Sequence, residues 1–321
     1  MKVLLIGAAG MIGRKFVQSL LDNPVPGLSG LMLADAVPGP DYPDANIPIS
    51  SYTFNIADEG VFEPLIAERP DAVVHLAAIV SGEAETDFDK GYAVNFDATR
   101  NLFDAIRLQE GYTPRVVSAS SIAVFGAPFP DTIPGDFHLT PLTSYGTQKA
   151  MGELLLCDYT RRGFMDGVAL RLPTICIRPG KANLAASSFF SNILREPLAG
   201  QEAVLPVDDS VRHWHASPRS AVGFLRHALT MDTTPIGPRR ALTMPGLSAT
   251  VAEQIEALRE VAGDRAVALI RREPDPFIEK IVSGWATRFD DSRARSLGFT
   301  SDASFREIIE NHLEDEGLEL V

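Results

Sequence analysis

The chain has 321 residues, 45% hydrophobic and 22% charged, a balance that fits a soluble globular protein and excludes a disordered or fibrous one. Its 42 acidic and 29 basic side chains leave a formal net charge of −13, which would repel nucleic-acid backbones and anionic membranes. The two cysteines, Cys157 and Cys176, are too few for a disulfide framework, and no Cys/His spacing resembles a zinc site, so a reducing cytoplasm is expected and no metal.

In chain order, Met1-Lys2 and the apolar run from Val3 resemble the start of a signal peptide, but glycines at 7, 10 and 13 break the run. No later stretch reaches the ~18 apolar residues of a membrane span, so the chain is expected to be neither exported nor inserted. Val3–Ile6 reads as a buried strand, Lys15–Leu21 as a helix and Leu31–Ala34 as a second strand. Pro38, Pro40, Pro43 and Pro48 then mark a loop. The cycle repeats with a strand at Ala72–Leu76, a helix near Asn95–Gln109, a strand at Arg115–Ser118, a helix at Tyr145–Arg161 and a strand at Val168–Arg171. Short apolar runs alternating with amphipathic segments predict an α/β fold with a doubly wound parallel sheet. Beyond about residue 172, Pro173, Pro179, Pro197, Pro206 and Pro218 punctuate what reads as loops and short helices. The expected organisation is a dinucleotide-binding domain over residues 1–172, with a return segment near 205–245, and a smaller, mostly substrate-binding lobe over 173–321.

Gly7, Gly10 and Gly13 lie between the first strand and its helix, where glycines let the backbone approach a pyrophosphate and Met11 and Ile12 open the helix whose positive end meets it. Asp35, 22 residues beyond Gly13, closes the second strand at the distance where an acid accepts from adenosine ribose hydroxyls. A carboxylate there would repel a 2′-phosphate, so the cofactor is expected to be NAD rather than NADP. Tyr145 and Lys149 are four apart and share one helix face. A nearby ammonium favours the phenolate, which could exchange a proton with a substrate hydroxyl. Ser121 follows a strand at the carboxyl edge of the sheet, where it could bind the reacting oxygen; a turn or capping serine is the plainer alternative.

These motifs, in this order, resemble the extended short-chain dehydrogenase/reductases, a Rossmann-type superfamily, over essentially the whole chain. Gly7, Gly10 and Gly13 match the glycine signature, His75-Leu76-Ala77-Ala78 the strand bordering the cofactor, Asn95 the Asn of the next helix, and Ser121, Tyr145 and Lys149 the catalytic set. The resemblance implies that Tyr145 is the acid/base, Lys149 holds the nicotinamide ribose, and Ser121 positions the substrate oxygen. It also places Asn55, Ile56, Leu76, Ala77, Ala78 and Asn95 on the cofactor, and implies a homodimer through the helices of Asn95–Arg107 and Tyr145–Arg161. Departures are Ile6 for a usual Thr, Asn55 for an Asp and Phe125 for a Tyr. The segments Ile79–Glu85, Arg171–Gly180 and Arg212–Arg219 resemble the branch that oxidises C2 of a four-carbon sugar acid, implying D-erythronate as substrate and 2-oxo-tetronate as product. Ser81, Thr174, Arg178 and Arg212 are the candidate substrate contacts; a carboxylate calls for an Arg, and either arginine could hold it or serve in an ion pair. His213 and His215 read as core or hydrogen-bonding residues. A nucleotide-sugar 4-epimerase with tightly held NAD and a non-catalytic NAD-responsive regulator remain as alternatives.

Overall fold

The computed structural model describes residues 1–180 and 186–320. In chain order its strands are β1 (Lys2–Ile6), β2 (Gly30–Asp35), β3 (Ile49–Thr53), β4 (Ala72–His75), β5 (Arg115–Ser121), β6 (Asp166–Leu172), β7 (Thr174–Ile175), β8 (Ala203–Leu205), β9 (Arg212–Ala216), β10 (Ala241–Thr243), β11 (Leu247–Thr250) and β12 (Ile270–Arg272). The chain divides into two compact units: Met1–Val124, Pro141–Leu172 and Val222–Thr243 form one, and Phe125–Thr140, Pro173–Ala221 and Met244–Val321 the other. The return to the first unit thus starts at Val222, later than the 205 expected, and β8 and β9 belong to the second unit.

The first unit is built on a seven-stranded sheet in the order β10-β6-β5-β4-β1-β2-β3, with every neighbouring pair parallel. Parallel strands covered on both faces read as unbroken apolar runs; Val3, Leu4, Leu5 and Ile6 of β1 are all buried. The helices of this unit include α1 (Met11–Asp22), α2 (Glu63–Ala67), α3 (Ser81–Thr86), α4 (Phe88–Tyr92), α5 (Ala98–Arg107) and α6 (Ser144–Arg161), with a π-helical turn at Ala93–Asp97. Leu4, Ile6, Val73, Leu102, Phe103, Ile106, Val116 and Leu156 meet in one core. β3 was not expected, because this outer strand, Ile-Ser-Ser-Tyr-Thr, is only partly buried and carries no apolar run. β5 continues to Ser121, three residues past the expected end, in register with β6 up to Ser121 opposite Leu172.

The second unit contains the sheet β11-β9-β7 and the pair β12-β8. Its helices are α7 (Ser188–Leu198), the start of α8 (Pro218–Thr230), whose residues from Val222 belong to the first unit, α9 (Val251–Val267), α10 (Pro276–Val282), α11 (Ser292–Ser296) and α12 (Phe305–Glu316); α10 and α11 are short as expected, and α7, α9 and α12 are longer. Thr250 and Glu253 form a capping box at the start of α9, which satisfies amide groups at both positions. Among the described residues no helix is long and apolar enough to cross a membrane, and no group of side chains could hold a metal ion.

Candidate active site

The turn after β1 is shaped by close backbone contact. Gly7 has φ +94, and its amide and that of Ala8 donate to the Ala34 carbonyl of β2 at 2.8 and 3.2 Å. A Cβ on Gly7 would stand 2.6 Å from the Ala77 nitrogen, and one on Gly13 would stand 2.2 Å from the Gly7 oxygen and 2.8 Å from that of Ala8. Only glycine lets β1, α1 and the chain beyond β4 meet this closely. Gly10 caps α1 without a side-chain bond, and the first turn of α1, which opens with Met11 and Ile12, holds no acidic residue. The first amides of a helix have no partners within it and sit at its positive end, so this turn is a cradle for an anion such as a pyrophosphate. Asp35 lies beside it: its carboxylate accepts from the amides of Ala9 at 2.8 Å and Val37 at 3.3 Å. Leu76 and Ala77 donate their amides to the Ile6 oxygen at 2.8 and 3.0 Å, and Ala78 is exposed just beyond. Asn55 is exposed and turns its side-chain oxygen onto the Ala57 amide, and Ile56 is buried, so it can offer a ligand only its backbone. The close-packed glycines, the uncapped helix start and the neighbouring acid fit a dinucleotide.

At the carboxyl edge of the same sheet, the Thr143 hydroxyl caps α6 by accepting from the Gly146 amide at 3.1 Å. A Cβ on Gly146 would lie 2.2 Å from the Ala123 oxygen, so the first turn of α6, with Tyr145, presses on the chain leaving β5. Ser121 ends β5 there, and its Oγ accepts from the Ala123 amide at 3.1 Å, which leaves its hydroxyl hydrogen to donate elsewhere. Lys149 donates Nζ to the Ala119 oxygen at 3.0 Å and stands 5.7 Å from the centre of the Tyr145 ring. Burial pulls the Lys149 ammonium down to about 8, with Glu153 acting the other way. The buried His75, at the end of β4, lies 3.0 Å through Nε2 from the Thr99 hydroxyl, which itself donates to the Asn95 carbonyl at 3.0 Å. The donor count assigns the proton to Nε2, and burial, with Lys149 nearby, lowers His75 to about 3, keeping it neutral.

Asn95 sits in the π turn rather than in a regular helix, and is buried. Its amide accepts from the Ile79 nitrogen at 2.9 Å and donates to Gln148 of α6 at 2.8 Å, so it joins the chain after β4 to the helix carrying Tyr145 and Lys149. Ser81 opens α3 and is half-buried. A group that sequence reasoning missed lies under α6: the buried Glu153 accepts from the Ser120 hydroxyl at 2.5 Å and from Arg171 at 2.8–3.1 Å. A charged residue inside the otherwise apolar run of β6 was its signal.

In the second unit, Thr174 of β7 pairs its hydroxyl with His213 Nε2 at 2.7 Å, and His215 Nε2 lies 3.1 Å from the Gln254 amide. Both histidines are buried against Phe190, as their core reading expected. Arg178 donates to the Ile175 oxygen at 3.1 Å and to the Ser187 hydroxyl at 2.9 Å. Arg212 donates to the Ser248 oxygen at 2.8 Å and forms an ion pair with Glu253 at 3.2 Å.

Residues 3–217 match the model of the family described as "NAD dependent epimerase/dehydratase family". The chain belongs to that family. Two curated relatives match this family member over nearly their full lengths: D-erythronate dehydrogenase of Cupriavidus necator, 45% identical over 99% of both chains, and D-erythronate dehydrogenase of Haemophilus influenzae, 42% identical over 98% of this chain and 99% of that one. A solved structure described as the nucleoside-diphosphate-sugar epimerase from Agrobacterium tumefaciens is 60% identical, with a TM-score of 0.97 over 100% of this chain and 96% of that one. Such similarity agrees with the Rossmann-type parallel sheet described above.

Proposed function

We propose that the protein is an NAD-dependent dehydrogenase that oxidises the C2 hydroxyl of a four-carbon sugar acid, D-erythronate, to 2-oxo-tetronate. The observation that carries this reading is the end-to-end similarity to two D-erythronate dehydrogenases, together with a Tyr–Lys helix seated on the Ser121 turn. Bound NAD would supply the acceptor for the C2 hydride. The turn at Gly7, Gly10, Met11, Ile12 and Gly13 would hold its pyrophosphate, and Asp35 its adenosine ribose, in preference to NADP. The Tyr145 oxygen takes the proton of the C2 hydroxyl, and the Ser121 hydroxyl donates to the same oxygen. Lys149, a cation at neutral pH, favours the Tyr145 phenolate through its charge and would hold the nicotinamide ribose. A carboxylate needs a cation to hold it, and Arg178 or Arg212 would supply that grip.

α6 carries one exposed leucine, Leu154, on the side away from the buried Leu156, and this supports a homodimer through α5 and α6. We place the reaction in the cytoplasm, in keeping with the two unpaired cysteines.

The solved relative described as an epimerase favours a second reading, a nucleotide-sugar 4-epimerase with firmly held NAD. A panel of four-carbon aldonates and UDP-hexoses, each mixed with NAD and followed by NADH absorbance, separates the two. NADH formed with D-erythronate supports the dehydrogenase; conversion of a UDP-hexose with no net NADH supports the epimerase.

A further inference from the structure

Two consecutive residues of β5 engage two residues one turn apart on α6: the Ala119 oxygen accepts from Lys149 Nζ at 3.0 Å, and the Ser120 hydroxyl donates to Glu153 at 2.5 Å. Across β5 and β6, Ser120 stands in register with Arg171, whose guanidinium grips both Glu153 oxygens at 2.8–3.1 Å. Arg171 and Glu153 are 6% and 3% exposed, so this carboxylate cannot turn to water and is held in place by Ser120 and Arg171. Residues four apart on a helix share a face, which sets the Glu153 charge beside Lys149 and one further turn from Tyr145.

We propose that Glu153 is a positioning residue: pinned by Ser120 and Arg171, its carboxylate holds Lys149 as a cation at the sheet edge. The inference rests on the reading of Lys149 as the partner of Tyr145. The titratable and charged groups brought to this part of the unit are His75 from β4, which is neutral, Arg171 from β6, which is paired with Glu153, Glu85 of α3, which accepts from the Ser144 amide at the start of α6, and Tyr145 and Glu153 on α6 itself. β5 contributes the Ala119 carbonyl and the Ser120 and Ser121 hydroxyls, and the π turn the uncharged Asn95. Of these, Glu153 is the acidic group that raises Lys149 against the downward pull of burial.

The chain has six lysines, so protein labelled with ¹³C at lysine Cε gives a spectrum simple enough to titrate, and the Lys149 signal is assigned by its loss in Lys149→Arg. Glu153→Gln keeps the shape and the Ser120 contact but removes the charge; it should lower the Lys149 midpoint by about one pH unit, a tenfold change in its ionisation ratio. Because Glu153→Gln takes the carboxylate away from the buried Arg171 and could unfold the chain, Glu153→Gln with Arg171→Met removes both charges together and should show the same direction of shift. Glu153→Asp, which keeps the charge, should restore most of the midpoint. An unmoved Lys149 signal in the double variant overturns the proposal. NADH formation is read separately: if Lys149 moves while turnover at pH 7 does not, the Tyr–Lys chemistry is wrong and the role of Glu153 toward Lys149 stands.

Discussion

Alanine at two glycines of the same turn should separate folding from cofactor binding. At Gly13 a methyl would stand 2.2 Å from the Gly7 carbonyl oxygen, about 1 Å inside normal contact, and the obstacle is backbone that no rotamer change can relieve. Overpacking of this kind costs about 1–3 kcal/mol and occasionally more; with a carbonyl as the obstacle we expect about 3 kcal/mol for Gly13→Ala. At roughly 2–4 °C per kcal/mol for a domain of this size, the melting temperature should fall by about 6–12 °C. Gly10 differs. Its φ of −67 and ψ of 164 suit any residue, and its Cβ would meet the Gly7 oxygen at 3.4 Å. Loss of a good N-cap and the smaller entropy of the unfolded chain act in opposite directions, so Gly10→Ala should stay within about 1 kcal/mol of the parent. Among the described residues, chain neighbours aside, the Gly7 oxygen is the only atom that methyl would meet within 4 Å, so it would stand in open space on the turn proposed for the pyrophosphate and should weaken NAD at least tenfold, about 1.4 kcal/mol. Calorimetry supplies both numbers, as a melting temperature without ligand and an NAD titration at 25 °C. Native NAD affinity in Gly10→Ala would refute the placement of the dinucleotide on this turn, and a parental melting temperature in Gly13→Ala would refute the packing argument.

Tyr145→Phe should lose about 10²–10⁴ in turnover with D-erythronate while NAD binding is retained, because positioned proton transfer supplies that much; full activity would remove Tyr145 from the chemistry. Alanine at the arginine that grips the carboxylate, Arg178 or Arg212, should raise the KM for the acid at least tenfold and leave NAD affinity alone; an unchanged KM in both variants would remove the arginine grip. Acid should destabilise the fold through three buried, neutral histidines, with His75 pushed down to about 3, His213 to about 4 and His215 well below its ordinary range, each chiefly by burial. The unfolded chain binds these protons near pH 6.5 and the folded chain does not, so their stability is complete above 6.5 and is lost as pH falls toward the folded values. Each contributes about 1.4 kcal/mol per pH unit inside that window, and urea unfolding at pH 7.5, 6.0 and 5.0 should show the steep fall; a flat profile would contradict the neutral burial.

The alternating runs from Val3 to Arg171, the glycine spacing and the Tyr–Lys pair were legible because each is a local matter of periodicity, turn geometry or a helical repeat of about four residues. β3 escaped that reading, since an outer strand with half its residues wet needs no apolar run. The length of α7, α9 and α12, where only loops and short helices were expected, escaped it too, although Thr250 and Glu253 had left a capping signature at α9. Sequence offered Arg178 and Arg212 as equals and gave no sign that Arg212 would pair with Glu253, 41 residues along the chain. The chain alone therefore settled the parallel α/β sheet and the order of its motifs. Only the folded form joined Ser120, Glu153 and Arg171 beneath Lys149, because partners from three different elements are brought within bonding distance by strand register and helix packing, which no local pattern encodes.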